Sequence, residues 1–178
     1  MVEECAPRSL SRVFDRRSGS AAGLHGYGDG MTRGELLRFM RSYRVAVETS
    51  VSMSGKPQAA VVGVAVGDEF EVVFDTLLST RKAANLRQNP NAALVFGGWG
   101  VGEERTVQYE GIADLPSGVE LQQVRELYFS VYPDGRDRLS WAGLIHVRVR
   151  PTWLRYSDYT TSPETILEFS AEQLERLR

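Results

Sequence analysis

Between residues 45 and 76 the chain sets strand-length apolar stretches between short turns, and that spacing leaves little room for anything but an antiparallel meander. Val45, Val47, Thr49 and Val51 alternate with Ala46, Glu48 and Ser50, the period of two expected of a half-buried strand. Ser54-Gly55-Lys56-Pro57 reads as a turn and Ala59 to Val66 as a nearly continuous apolar strand. Gly67-Asp68 turns the chain again into Phe70, Val72 and Phe74. Turns this short join antiparallel neighbours, because a parallel pair needs a long crossover.

The rest of the chain adds strands and a few short helices. Thr32-Arg33-Gly34-Glu35 matches a capping box, and Leu36, Leu37, Phe39 and Met40 give a first helix its apolar face as far as about Tyr43. Asn89-Pro90-Asn91 stops a second helix, and Ala92 to Phe96 form a strand. Gly97 to Gly102 is a hairpin loop; it lacks the Lys-Ser/Thr of a P-loop. Thr106 to Ala113 is a strand with Thr106, Gln108 and Glu110 on one face, and Val119 to Val131 has helical spacing. Ile145, Val147 and Val149 alternate with His146, Arg148 and Arg150 in a late strand that continues past Pro151 towards Tyr156. Ser170-Ala171-Glu172-Gln173 caps a short C-terminal helix. A mainly β chain of about six strands with few helices implies a barrel and not a parallel βαβ sheet. Residues 1–30, rich in Gly, Ser and Arg, read as an irregular arm, and residues 31–178 as one domain.

Composition excludes several classes. A net charge of -2 argues against a general nucleic-acid footprint. The single cysteine, Cys5, rules out a disulfide within the chain and an all-cysteine metal site. No apolar run approaches the roughly 20 residues of a membrane span, and the N-terminus lacks the apolar stretch of a secretory signal, so the expected setting is the cytoplasm.

The segment Val72-Val73-Phe74-Asp75-Thr76-Leu77-Leu78-Ser79-Thr80-Arg81-Lys82 carries the strongest chemical signal. An apolar strand runs into a helix that opens with hydroxyls at its cap and two cations in its first turn. Helix N-termini already carry partial positive charge, so Arg81 and Lys82 there are mildly unfavourable. A phosphate at that position would reverse the sign, because N–H groups, hydroxyls and both cations would converge on one dianion. Two cations extending into water are the alternative.

The order of a three-strand meander, Phe74-Asp75-Thr76, Thr80-Arg81-Lys82, a short helix, Asn89-Pro90 and Val107-Gln108-Tyr109-Glu110-Gly111 resembles the flavin-binding split-barrel family that includes pyridoxamine 5′-phosphate oxidase. The resemblance spans roughly residues 32 to 156. It implies a six-stranded antiparallel split β-barrel with short flanking helices, forming a homodimer that binds flavin mononucleotide (FMN) at the subunit interface. On that resemblance Arg81, Lys82 and the Thr80 hydroxyl would hold the FMN phosphate, and Asp75 and Thr76 would lie along the ribityl chain or ring edge. The backbone of Val62, Gly63 and Val64 would approach the isoalloxazine ring, since a strand glycine permits close approach. Gln108 would reach the phosphate or a ring carbonyl, and Trp153 and Arg155 would close over the flavin, from the same or the partner subunit.

Departures from the oxidase proper bear on the substrate. That enzyme carries an arginine and a lysine where this chain reads Ala60-Val61-Val62-Gly63-Val64-Ala65, and basic and aromatic residues where it reads Ser162-Pro163-Glu164-Thr165-Ile166-Leu167-Glu168-Phe169. A site lacking those cations would discriminate poorly in favour of a phosphorylated vitamin B6 substrate, so B6 oxidation is not the expected activity. The resemblance implies instead an FMN-dependent oxidoreductase acting on an unknown small molecule, with NAD(P)H as the expected donor if it is a reductase. No side chain is needed as acid or base in that case, because the ring does the chemistry, and no catalytic or metal constellation is evident. The deazaflavin F420 in place of FMN, and a non-catalytic flavin or haem module, are the alternatives; haem would need an axial histidine, and His146 is the one in the barrel region. His146 is otherwise expected on the polar face of its strand, and Trp99 and Trp141 in a core or an interface.

Overall fold

The computed structural model describes residues 30–178; the expected arm lies outside these, apart from its last residue. The elements run α1 (Arg33–Arg41), β1 (Val45–Val51), β2 (Pro57–Gly63), β3 (Ala65–Val66), β4 (Val72–Leu77), α2 (Arg81–Gln88), β5 (Asn91–Gly97) and β6 (Arg105–Asp114), then α3 (Gly118–Val131), a 3-10 helix (Pro133–Ser140), β7 (Leu144–Asp158), β8 (Thr165–Ser170) and α4 (Ala171–Arg176). All strand pairings are antiparallel, and the sheet runs β2-β1-β5-β6-β7-β4-β3, with β8 added to the outer half of β7. The two ends of that path, β2 and β3, are consecutive in sequence with Val64 alone between them. The chain itself therefore joins one edge of the sheet to the other, and this is how the barrel is split yet closed.

Eight strands replace the six expected, for two reasons. The apolar stretch from Ala59 to Val66 divides at Val64, whose N–H donates to the Arg44 carbonyl at 2.9 Å as the last link to β1 before β3 passes over to β4. β8 was not anticipated at all. Its residues are partly buried or exposed, without a clean alternation, and its partner is the far half of a long strand.

Inside the barrel lie Val62, Val72, Phe74, Leu94, Phe96, Val107, Tyr109, Leu154 and Tyr156, closed at one end by Leu36 and Met40 of α1. The alternation in β1 turns Ala46, Glu48 and Ser50 inward, and leaves Val45 and Val47 on the outside. A second, smaller layer forms where α3 covers the outer face of β3, β4 and β7, with Val73 and Ala65 packed against Val124, Tyr128 and Phe129. Capping boxes at Thr32–Glu35 and Ser170–Gln173 start α1 and α4, as their sequences foretell. Among the described residues no helix is long and apolar enough to cross a membrane.

β7 bends midway, which lets one strand serve β4, β6 and β8. Glu110 pairs with Trp153 but Gly111 with Pro151, so Thr152 is the extra residue of a bulge. A Cβ on Gly111 would stand 2.4 Å from the Arg150 carbonyl oxygen, a backbone atom that cannot move aside. Gly111→Ala is expected to cost about 1–3 kcal/mol, as overpacking does. Thermal denaturation measures it; an unchanged melting temperature would show that the bulge tolerates a methyl group.

Candidate functional site

β4 ends at Leu77, and after Leu78-Ser79 the chain caps α2 with Thr80, held extended at φ -78° and ψ 153°. The Thr80 hydroxyl donates to the Leu77 carbonyl (2.9 Å) and accepts from the Ala83 N–H (3.3 Å). Its single proton is thereby used, so across the 3.1 Å contact it is Thr76 that donates to Thr80. The Thr80 carbonyl takes the Ala84 N–H at 3.2 Å. That leaves the N–H groups of Arg81 and Lys82 without an intrahelical acceptor. The first turn contains no acidic residue, and neither Arg81 nor Lys82 joins an ion pair among the described residues. Arg81 is exposed and Lys82 half-buried. A capped helix end with two uncommitted cations and two free N–H groups is a donor set for a phosphate; the Thr80 hydroxyl expected to join it has its proton committed to the Leu77 carbonyl and serves as the cap instead.

Beneath that helix lies a polar patch inside the barrel. Asn85, buried on α2, donates to the Ser50 hydroxyl of β1 (3.2 Å) and to the side-chain carbonyl of Gln58 on β2 (3.1 Å). Glu48, two residues before Ser50, is 1% exposed, and its Oε1 has no hydrogen-bond partner among the described residues. Burial raises its carboxyl above the ordinary range, with Ser50 and then Lys82 acting in the opposite direction. Sequence reasoning singled out neither Glu48 nor Asn85. The available signal was the polar side of the β1 alternation matched by an asparagine on the apolar side of α2, beside Ala83 and Leu86.

Asp75 does not belong to this group. Consecutive strand residues face opposite ways, so with Thr76 turned into the barrel Asp75 faces α3. There it accepts from Arg138 Nε (2.9 Å) and from the Tyr128 hydroxyl (3.0 Å), which commits it to holding the 3-10 helix and α3 in place. His146, paired with Asp75 across the ladder, faces the same way and corrects a second expectation. It is 2% exposed, not on a polar face, with Tyr128 and Phe129 rings packed edge-on at 5.4 and 5.7 Å, and neither ring nitrogen has a hydrogen-bond partner among the described residues. Burial lowers its pKa, Arg125 adds to the effect, and Asp75 opposes it.

Val62 turns into the core, and the space above Gly63 is taken by Tyr132. A Cβ at Gly63 would sit 2.9 Å from the Tyr132 hydroxyl, so the close approach this glycine permits is that of an aromatic side chain at the end of α3. Val64 is buried in the seam. Gln108, Trp153 and Arg155 come together, but on the outer face: Gln108 pairs with Arg155, and Glu110 with Trp153. The same row continues through Val95 and Val47 to Val61. One protomer thus brings Thr76, Thr80, Arg81 and Lys82 to one place and Gln108, Trp153 and Arg155 to another, on the opposite side of the sheet. Trp99 and Trp141 are 48% and 54% exposed, so neither is in the protomer's core.

A family model described as pyridoxamine 5′-phosphate oxidase matches residues 32–158. The chain belongs to that family. Among characterised relatives, the pyridoxine/pyridoxamine 5′-phosphate oxidase of Burkholderia mallei is 36% identical over 93 residues, covering 52% of this chain and 41% of that protein. The chain thus spans about two fifths of the length of that relative in the matched region. Among solved structures, a haem-binding protein from Mycobacterium smegmatis superposes with a TM-score of 0.71 at 15% identity, covering 84% of this chain and 62% of that one. A pyridoxamine 5′-phosphate oxidase-related, FMN-binding protein from Nostoc punctiforme superposes with a TM-score of 0.58 at 13% identity, covering 77% and 87%. At such identities the superpositions establish the split-barrel fold, which agrees with the mainly antiparallel β architecture read from the sequence.

The buried histidine makes a prediction of its own. Because its folded pKa lies below the unfolded value of about 6.5, the unfolded chain binds the extra proton first, and stability falls as the pH drops below that value. The loss is at most about 1.4 kcal/mol per pH unit for this one group. His146→Phe should flatten that limb in urea denaturation measured from about pH 7 to 5. An identical limb in the variant would clear His146 of the effect.

Proposed function

We propose that this family member binds FMN at the α2 N-terminus and acts as an oxidoreductase that moves a hydride or electrons to or from a small molecule. The observation that carries the reading is the pair of uncommitted cations, Arg81 and Lys82, on a helix end capped by Thr80. In this reading Arg81 and Lys82 bind the phosphate with their side chains and their free N–H groups, and Thr76 holds Thr80 in the capping rotamer. When bound, FMN supplies the redox chemistry through its ring system. The protein's part is to place the ring and keep water from it. The deazaflavin F420, which also offers a phosphate, would use the same handle.

Residues from two copies complete the site in this proposal. Val61 is 68% and Val45 42% exposed, and Val47 and Val95 continue the same outer row to Gln108 and Arg155. Pairing two barrels through this face would cover the valines, and would carry Gln108, Trp153 and Arg155 towards the partner's cations. β2 offers no side-chain cation between Ala59 and Val64, which speaks against a second phosphate group on the substrate and hence against B6 oxidation. NAD(P)H is the proposed donor for the reductive half-reaction.

The haem-binding neighbour suggests a second ligand, but the chain's chemistry favours FMN. His146 lies buried under α3 against the Tyr128 and Phe129 rings, out of reach of a haem iron unless α3 is displaced.

Two measurements test the reading. Added FMN should bind, seen as quenched flavin fluorescence and a shifted visible spectrum, and Arg81→Ala or Lys82→Ala should each weaken it by about 1.5–3 kcal/mol, the range for charge-assisted bonds. Unchanged affinity in the double variant would remove the phosphate from this helix. Val61→Arg should shift the sedimentation coefficient from dimer to monomer and lower FMN affinity with it; a monomeric parent protein would overturn the two-copy site.

A further inference from the structure

Among the described residues Glu48 is the one buried carboxyl that neither the fold nor the proposed phosphate contacts employ. It is 1% exposed, on the inner face of β1, two residues before the Ser50 that Asn85 of α2 binds. Its strand neighbours provide no compensation: across β2 and β5 it pairs with Ala60 and Leu94, neither of which titrates. From α2, the charged group that acts on it is Lys82, and the two do not form an ion pair. Ser50 is the remaining polar group beside it; its hydroxyl accepts from Asn85, keeps its own proton, and acts against the effect of burial on the carboxyl. Glu48 Oε1 has no hydrogen-bond partner among the described residues. A carboxylate so placed would cost free energy unless it drew Lys82 inward.

We propose that Glu48 and a bound phosphate compete for Lys82, so that the α2 N-terminus holds a phosphate group firmly only while Glu48 is neutral. This rests on the FMN reading above and adds a control to it. With Glu48 protonated, Lys82 stays uncommitted, as it is in this structure, and the phosphate meets two cations. With Glu48 ionised, the half-buried lysine has an internal counter-charge, and an incoming dianion faces a like charge behind it. Binding and protonation are then linked in both directions: the phosphate holds the proton on Glu48, and a proton on Glu48 strengthens phosphate binding. Burial holds the carboxyl above its ordinary range, which is the direction this exchange requires.

FMN titrations from about pH 6.5 to 9, where the phosphate monoester is already largely a dianion, separate this from the ligand's own ionisation. The parent protein should bind FMN more weakly as the pH rises, by up to about tenfold per pH unit over part of the range, and should take up a proton on binding. Calorimetry in buffers of different ionisation enthalpy reads that proton directly. Glu48→Gln keeps the size and hydrogen-bonding reach of the side chain; it should bind FMN with little pH dependence and no uptake. Riboflavin, which lacks the phosphate, should show no such slope with either protein. The same slope in Glu48→Gln as in the parent, or in riboflavin as in FMN, would overturn the inference while leaving the FMN site standing. If the parent bound FMN with no slope and no proton uptake, that too would overturn it. Failure of both proteins to bind FMN at any pH would overturn the cofactor reading, and the inference with it.

Discussion

The Asn85 amide, shared between Ser50 on β1 and Gln58 on β2, fixes where α2 can sit, and the candidate site depends on that placement. A polar strand face turned into a barrel must find partners, since an unpaired buried group costs about 1–3 kcal/mol. α2 supplies a partner from within an apolar stripe, and in docking there it directs its N-terminus, with Arg81 and Lys82, to one end of the barrel. The Thr76–Thr80 contact ties the same turn back to β4. Two cations that an isolated helix would disfavour are thus held in position by hydrogen bonds beneath and behind them.

Much of the architecture was legible because it is written in short-range patterns. The capping boxes at Thr32 and Ser170, the Thr80 cap, the turn at Gly67-Asp68 and the alternation in β6 all depend on residues close in sequence and appear where expected, although the turn runs on through Phe70 and β4 starts only at Val72. The family order of motifs along the chain was likewise readable, and the family assignment agrees with it. What could not be read was long-range direction. The alternation in β1 is the same whichever face turns in, and the inward face is set by distant partners: the register with β2 and β5, and Asn85 bonded to Ser50. Asp75 and His146 share one register pair, and α3, some 50 residues after Asp75 in sequence and shortly before His146, converts both from strand residues into parts of a second packed layer. β8 has too few buried positions to declare itself, and exists because β7 extends beyond the end of its pairing with β4.

The site residues divide for a related reason. Thr76, Thr80, Arg81 and Lys82 come from one continuous segment, so local structure is enough to gather them. Gln108, Trp153 and Arg155 are gathered by the β6–β7 register, which aligns them with each other and with a row of outward valines but not with the helix. A single barrel therefore holds these two groups on opposite sides of its sheet, and in the proposed reading each is half of a site. The neutral strand from Ala59 to Val64 sets this chain apart from a site that must hold a second phosphate.

β7 bends to serve β4, β6 and β8 and follows β4 and β6 in the chain, an order with a consequence for biosynthesis. The β1–β2 and β5–β6 hairpins and the β3–β4 turn join near neighbours, so they can form while the chain is still emerging from the ribosome. Until β7 follows, β4 and β6 each keep a row of unsatisfied amides, and the hydrophobic interior has no wall on that side. The barrel can close only after translation has passed Asp158, and through that interval the nascent chain carries open strand edges of the kind that chaperones shield.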